Sequence, residues 1–271
     1  MNQWDATSYE GKDTILRVVG DEAERLFALA EPEEAWEAPT ACVGWTTRDV
    51  VAHIVDTTEG YLAAFDLVRS GGNPDAAFGL PGMGERVNEQ AMALRGVPQK
   101  ELLDRLKTDF EQMMAILRDL GPDDWAGLTV PHFYMGPLPA YFYAAGQLMD
   151  YAVHSWDIRQ GTGRAHGLSG EAADLLVPFM FVLWQSTVKA DADLTPFRLG
   201  VRVGGVNGGD FRVEVGPQGM SYTPGDLGDL PTLIEFDAGS MVLTTFGRSN
   251  AGTARGDLSI ADRYLNLFFR I

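Results

Sequence analysis

Cysteine is almost missing from this chain: Cys42 is the one copy in 271 residues. No intrachain disulfide can form and no cysteine-rich metal site can be built; the usage fits a reducing, cytoplasmic compartment. Lysine is scarce too, with four among 21 basic residues, a bias associated with GC-rich bacterial genomes. Positive charge is in deficit, 21 basic against 38 acidic residues, and the formal net charge is −17. Such a field repels phosphate backbones and anionic lipid, so neither nucleic acid nor membrane is expected as a partner. Long apolar runs are absent. The best candidate, Leu175 to Trp184, contains Pro178 and falls short of the ~18 residues a membrane span requires. The opening Met1-Asn2-Gln3-Trp4-Asp5 has neither a basic start nor an apolar run, so no signal peptide is expected. There are no internal repeats or low-complexity tracts.

What is present is a globular composition, 45% hydrophobic and 22% charged, enough for a sizeable core in one large domain or two small ones. The first ~160 residues read as helices separated by Pro/Gly breaks. Thr14 to Ala30 carries Ile15, Val18, Val19, Ala23, Leu26, Phe27 and Ala30 at helical spacing. Thr46 with Asp49 makes a capping box that starts a second helix, ended near Ser70 by Gly71-Gly72-Asn73-Pro74. A Gly- and Pro-rich loop reaches Gly84. Further helices are expected over Glu85–Leu94, Gln99–Leu120 and Ala140–Gln160, and together they predict a helical bundle. Gly161 to Gly170 reads as a linker. Beyond it come a helix over Glu171–Val188, strands over Phe197–Val203 and Asp210–Val215 joined at Asn207-Gly208-Gly209, and a strand over Thr232–Phe236. A short helix over Ser240–Phe246, a strand over Thr253–Arg255 and a helix over Ser259–Phe269 complete it. The expected class is therefore an up-down four-helix bundle, residues 1–165, followed by a small α+β domain with a mainly antiparallel sheet, residues 166–271.

Only four histidines occur. His53 stands at the edge of the second helix's apolar stripe with Asp49, Asp56 and Thr57. His154 lies on the fifth helix, one turn after Asp150 on the same face. Two readings stand at this point. The histidines are core-edge residues with hydrogen-bond partners, or His53, Asp150 and His154 converge on a divalent metal with open positions, as a catalytic site requires. Asp157 reads as a surface or ion-pairing residue, with orientation of a ligand imidazole as the alternative. Asp49 is assigned to capping. His132 reads as a loop histidine or a substrate-side acid or base, His166 as an exposed linker residue, and Cys42 as structural.

Gly44-Trp45-Thr46-Thr47-Arg48-Asp49-Val50-Val51-Ala52-His53 and Val153-His154-Ser155-Trp156-Asp157-Ile158-Arg159 resemble the two signature segments of the mycothiol-dependent maleylpyruvate isomerase family, within the DinB-like four-helix metalloproteins. Asn88, Asp124-Trp125 and Pro137-Leu138-Pro139 extend the resemblance over roughly residues 10 to 165. It implies a divalent metal, usually zinc, with nickel, manganese or iron as alternatives, held by His53, Asp150 and His154; the isomerase itself carries glutamate where this chain has Asp150. It also implies mycothiol or a similar low-molecular-weight thiol as cosubstrate. The C-terminal half resembles a sterol-carrier-protein-like domain through Thr244-Thr245-Phe246-Gly247-Arg248 and Arg255-Gly256-Asp257. There the resemblance makes Arg248 a catalytic candidate that binds a substrate carboxylate; an ion pair with Asp237 or Asp257 is the plain alternative. The implied activity is thiol addition to an electrophilic small molecule, as isomerase or S-transferase, in a monomer or homodimer. The alternatives are a non-catalytic binding protein using the C-terminal domain and a metal-dependent hydrolase.

Overall fold

The computed structural model describes residues 3–161, 163, 166–248 and 252–271. The chain divides into two compact units, residues 1–168 and 169–271. Of the expected linker, residues 162, 164 and 165 lie outside the described residues. No described helix is long and apolar enough to cross a membrane.

The first unit is built on four long helices: α1 (Lys12–Ala30), α3 (Thr47–Ser70), α5 (Gln99–Asp119) and α7 (Tyr141–Gly161). The short α2 (Glu33–Trp36), α4 (Met83–Ala93) and α6 (Pro122–Gly127) lie between them. Of the predicted stripe of α1, Ile15, Val18, Val19, Ala23, Leu26 and Ala30 are buried and Phe27 is half-buried. α1 packs on α7, and α3 on α5. α3 starts at the predicted box, where the Thr46 N–H donates to the Asp49 carboxylate at 2.9 Å. It ends at Gly71, whose φ of 70° is the left-handed cap that favours glycine. Arg95 closes over Asp49 at 2.7 and 2.8 Å. Burial works to raise the Asp49 pKa, but hydrogen bonds from Arg95 and Thr46 together hold it below the usual carboxylate value.

α7 departs from the amphipathic pattern. Every residue from Phe142 to Ile158 is buried except Asp150. It is a central helix, so the polar groups on it must find partners inside the protein. Sequence reading also missed the hairpin of β1 (Thr129–His132) and β2 (Gly136–Pro139), in which Val130 faces Leu138 and His132 faces Gly136. Pro131, Pro137 and Pro139 hid it, since proline cannot donate to a ladder.

The second unit has a five-stranded sheet in the order β5-β4-β3-β6-β7: β3 (Phe197–Val203), β4 (Gly209–Gly216), β5 (Gly219–Pro224), β6 (Thr232–Phe236) and β7 (Thr253–Gly256). All pairs are antiparallel except β3 with β6. α8 (Gly170–Ser186), α9 (Ala238–Thr245) and α10 (Leu258–Leu265) complete it. Alternation separates the sheet's two faces. Leu199, Val201, Val203, Val213, Val215 and Ile234 are buried, while Arg202 pairs with Asp210 and Glu235, and Arg255 with Glu235.

α8 continues through Pro178. A proline there deprives the Asp174 carbonyl of its helical donor. Asn207 replaces it: its side-chain Nδ2 donates to Asp174 O at 3.2 Å, and its backbone N–H donates to the Asp174 carboxylate at 3.2 Å. The Asn-Gly-Gly turn between β3 and β4 thus repairs a helix. Asn207→Ala is expected to destabilise the second unit by about 1–2 kcal/mol. In a Pro178→Ala background, which restores the missing N–H, denaturant titration should show a smaller loss.

Candidate metal centre

The seam between α3 and α7 brings His53, Asp150 and His154 together, and one ligand atom from each lies within 4.8 Å of the others. His53 Nε2 stands 3.6 Å from Asp150 Oδ1. That is too long for a hydrogen bond and close to the separation of about 3.3 Å expected between two donors on one tetrahedral zinc. The two imidazoles meet edge to face, with centroids 5.0 Å apart. Asp150 Oδ2 is buried and has no hydrogen-bond partner. A buried carboxylate oxygen left so is costly unless something cationic or protic meets it. The donor set, two imidazoles and one carboxylate, fits a divalent ion.

The outer nitrogens are also accounted for. His53 Nδ1 faces the Thr57 hydroxyl at 3.4 Å. His154 Nδ1 is 2.9 Å from Asp157 Oδ2. With a proton on Nδ1, His154 presents a lone pair at Nε2. Asp157 is therefore no surface residue: its side chain is fully buried. Its sequence neighbours gave no hint, because α7 is enclosed on all sides. Burial drives the His154 pKa down while Asp157 opposes it, which keeps the ring neutral as a ligand must be.

Cys42 is the other surprise. Its thiol reaches Asp157 Oδ2 at 3.1 Å and lies 3.9 Å from His154 Nδ1. Cys42, His154 and Asp157 thus form a second grouping of possible ligands, one that shares His154 with the first. That grouping is already joined by hydrogen bonds, whereas the His53–Asp150–His154 grouping holds an unsatisfied oxygen. The latter is the better cation site. Trp45 walls it, with ring centroids 5.5 Å from His53 and 6.3 Å from His154, and its indole N–H donates to Asn88 at 2.9 Å.

The remaining histidines lie elsewhere in the first unit. His132 ends β1 and is half-buried among Tyr61, Phe133, Tyr134 and Tyr143. Its Nδ1 accepts the backbone N–H groups of Tyr134 and Met135. His166 is half-buried rather than exposed: its Nε2 meets Trp156 O at 3.0 Å and its ring packs 5.3 Å from the Trp156 ring. Arg248 belongs to the second unit, where its guanidinium donates to Phe246 O and Ile271 O. Asp237 and Asp257, its expected ion-pair partners, cap α9 and α10 through Ser240 and Ser259. Arg248 lines a cavity of about 730 Å³ with Trp184, Lys189, Thr244, Phe268 and Arg270.

Residues 16–159 match the family model described as the mycothiol maleylpyruvate isomerase N-terminal domain. The chain belongs to this family. Crystal structures of a mycothiol-dependent maleylpyruvate isomerase and of a point mutant of it each align with TM-score 0.59 and 12% identity, over 90% of this chain and 92% of theirs. At that identity the likeness is one of fold. A colibactin self-resistance protein, solved with double-stranded DNA, aligns at TM-score 0.47 and 15% identity over 57% of this chain and 97% of its own. Comparison with curated protein sequences gives no match. The family model stops at residue 159, so it speaks only for the first unit.

His132 sets a pH dependence. Burial pushes its pKa down to about 4, with Asp150 pulling weakly the other way. In the unfolded chain it titrates near ~6.5. Between these values the unfolded state binds more protons, so stability is full above about pH 6.5 and falls as pH drops toward 4, by at most about 1.4 kcal/mol per pH unit. His154 acts in the same direction. Comparing the wild type with His132→Phe over this range should show the variant's stability curve flatter by up to one proton's worth.

Proposed function

We propose that this chain is a divalent-metal-dependent enzyme that activates a low-molecular-weight thiol, mycothiol or a close equivalent, for addition to an electrophilic small molecule. The reaction is an isomerisation if the thiol is expelled again and an S-transfer if it stays. The observation that carries the reading is Asp150, whose Oδ1 stands 3.6 Å from His53 Nε2 while its buried Oδ2 has no partner, together with an imidazole fixed by Asp157. His53, Asp150 and His154 would hold a divalent metal, whose Lewis acidity would lower the pKa of a bound thiol. Zinc suits two nitrogens and one oxygen; nickel, manganese and iron are the alternatives.

The chain's own residues do the rest. Asp157 holds the His154 tautomer. Trp45 shields the two imidazoles from water on one side. Cys42, hydrogen-bonded to Asp157, is a support and not the nucleophile, which the cosubstrate brings. In the second unit Arg248 is assigned to a substrate carboxylate, which a planar guanidinium grips in bidentate fashion. The cavity beside Arg248 favours a second reading, in which that unit binds a small molecule without chemistry.

Metal analysis separates the readings. The wild-type protein is expected to take up about one equivalent of zinc, and His53→Ala or His154→Ala to lose it; Asp157→Asn should weaken it about 10–100-fold. A wild type that binds no metal, or a His53→Ala variant that binds as much, would overturn the metalloenzyme reading. Turnover that proceeds equally without thiol would replace addition by hydrolysis.

A further inference from the structure

The polar seam between α3 and α7 does not stop at the three presumed ligands. One turn beyond Asp150, toward the start of α7, Gln147 is fully buried. Its Nε2 donates to Thr58 Oγ1 at 3.2 Å, while Oε1 has no partner. Flipping the amide exchanges the two ends and still leaves one unpaired. At the next position Gly146 makes room for Tyr61, because a Cβ there would stand 2.8 Å from the tyrosine hydroxyl. The Tyr61 ring in turn lies 5.7 Å from that of His132. Asp150 acts electrostatically on both Tyr61 and His132. Tyr61 thus links His132 to the stretch of α7 that carries Gln147 and Asp150, each of which holds a buried oxygen without a partner.

The hairpin turn decides what His132 offers. Its Nδ1 accepts N–H groups from Tyr134 at 3.3 Å and Met135 at 3.2 Å. A nitrogen that accepts two backbone donors carries no proton, so the neutral ring carries it on Nε2. The backbone holds the ring in that state, and burial keeps it uncharged at neutral pH. A fixed, neutral N–H donor in a sheltered site stabilises negative charge that develops on an oxygen, with no reorganisation during the reaction.

We propose that His132 is the substrate-facing donor of this site, and that its Nε2–H hydrogen-bonds the carbonyl oxygen of an α,β-unsaturated carbonyl cosubstrate. This rests on the thiol-addition reading. As the thiolate sulfur bonds to the β-carbon, the C=C electron pair moves to the carbonyl oxygen. His132 donates a hydrogen bond to that oxygen and keeps its proton. Rotation about the now single Cα–Cβ bond, followed by return of the pair, expels the thiolate and regenerates the double bond in its other geometry, which completes an isomerisation. Protonation of the α-carbon by water retains the sulfur, which completes a transfer.

The test follows the imidazole nitrogens of 15N-histidine-labelled protein by NMR, with His132→Phe assigning the signal. The expected result is a neutral Nε2–H tautomer at pH 7, with a resonance that moves when 2-cyclohexenone is added and stays when cyclohexanol is added. His132→Phe, which keeps an aromatic ring in the cluster, is expected to retain the metal stoichiometry. It should slow 2-mercaptoethanol addition to the enone at least tenfold, through kcat. An Nδ1–H tautomer, or a resonance unmoved by the enone, overturns the proposal without any need for turnover. A protein whose His132 responds to the enone but which binds no metal overturns the metalloenzyme reading alone.

Discussion

The 2.9 Å hydrogen bond between Asp157 and His154 is the constraint on which the site depends. α7 is enclosed along nearly its whole length, and an ionised carboxylate in such a place is expensive unless it is paired. Asp157 meets that cost with two donors, the His154 ring and the Cys42 thiol. In return it fixes which face of His154 looks outward. The imidazole cannot turn without stranding the carboxylate, so Nε2 is the nitrogen left for another partner. In the proposed metal site such a partner behind His154 would carry about 10–100-fold in metal affinity.

The same burial explains why the seam is polar at all. A helix packed on every side could have been wholly apolar, and α7 nearly is. Its exceptions include Gln147, Asp150, His154 and Asp157, which stand one turn or less apart, and Ser155. Asp150 Oδ2 and Gln147 Oε1 are left unsatisfied, as are the hydroxyls of Tyr151 and Ser155. Natural interiors hold few such groups, and each asks for an occupant. The seam therefore combines a fixed side, behind His154, with an unsatisfied side, before Asp150 and Gln147. Asymmetry of this sort separates a ligand-ready site from a structural hydrogen-bond network.

Much of this was legible in the sequence where local chemistry speaks for itself. The Thr46–Asp49 box, the stripe of α1, the glycine stop after Ser70 and the alternation of β3 and β4 each rest on nearest neighbours, and each matches the observed element closely. Periodicity brought His53, Asp150 and His154 forward as a group but could not choose between ligands and core-edge residues. What stayed hidden depends on long-range packing. Asp157 read first as a surface or ion-pairing residue and only second as a partner that orients an imidazole, because full enclosure of α7 cannot be seen from its own pattern. The partnership of Cys42 with Asp157 spans 115 positions. The β1–β2 hairpin was masked by its prolines, and with it the turn amides that define His132. The Asn207 repair of α8 joins a helix interior to a distant turn whose glycines signalled only a hairpin.

X-ray absorption of zinc-reconstituted, thiol-free protein discriminates directly between the two groupings that share His154. The account predicts a shell of nitrogen and oxygen alone at about 2.0–2.1 Å, with scattering from two imidazoles. A sulfur at about 2.3 Å would contradict it. Cys42 is the only thiol in the chain, so that result would place the metal in the Cys42–His154–Asp157 grouping.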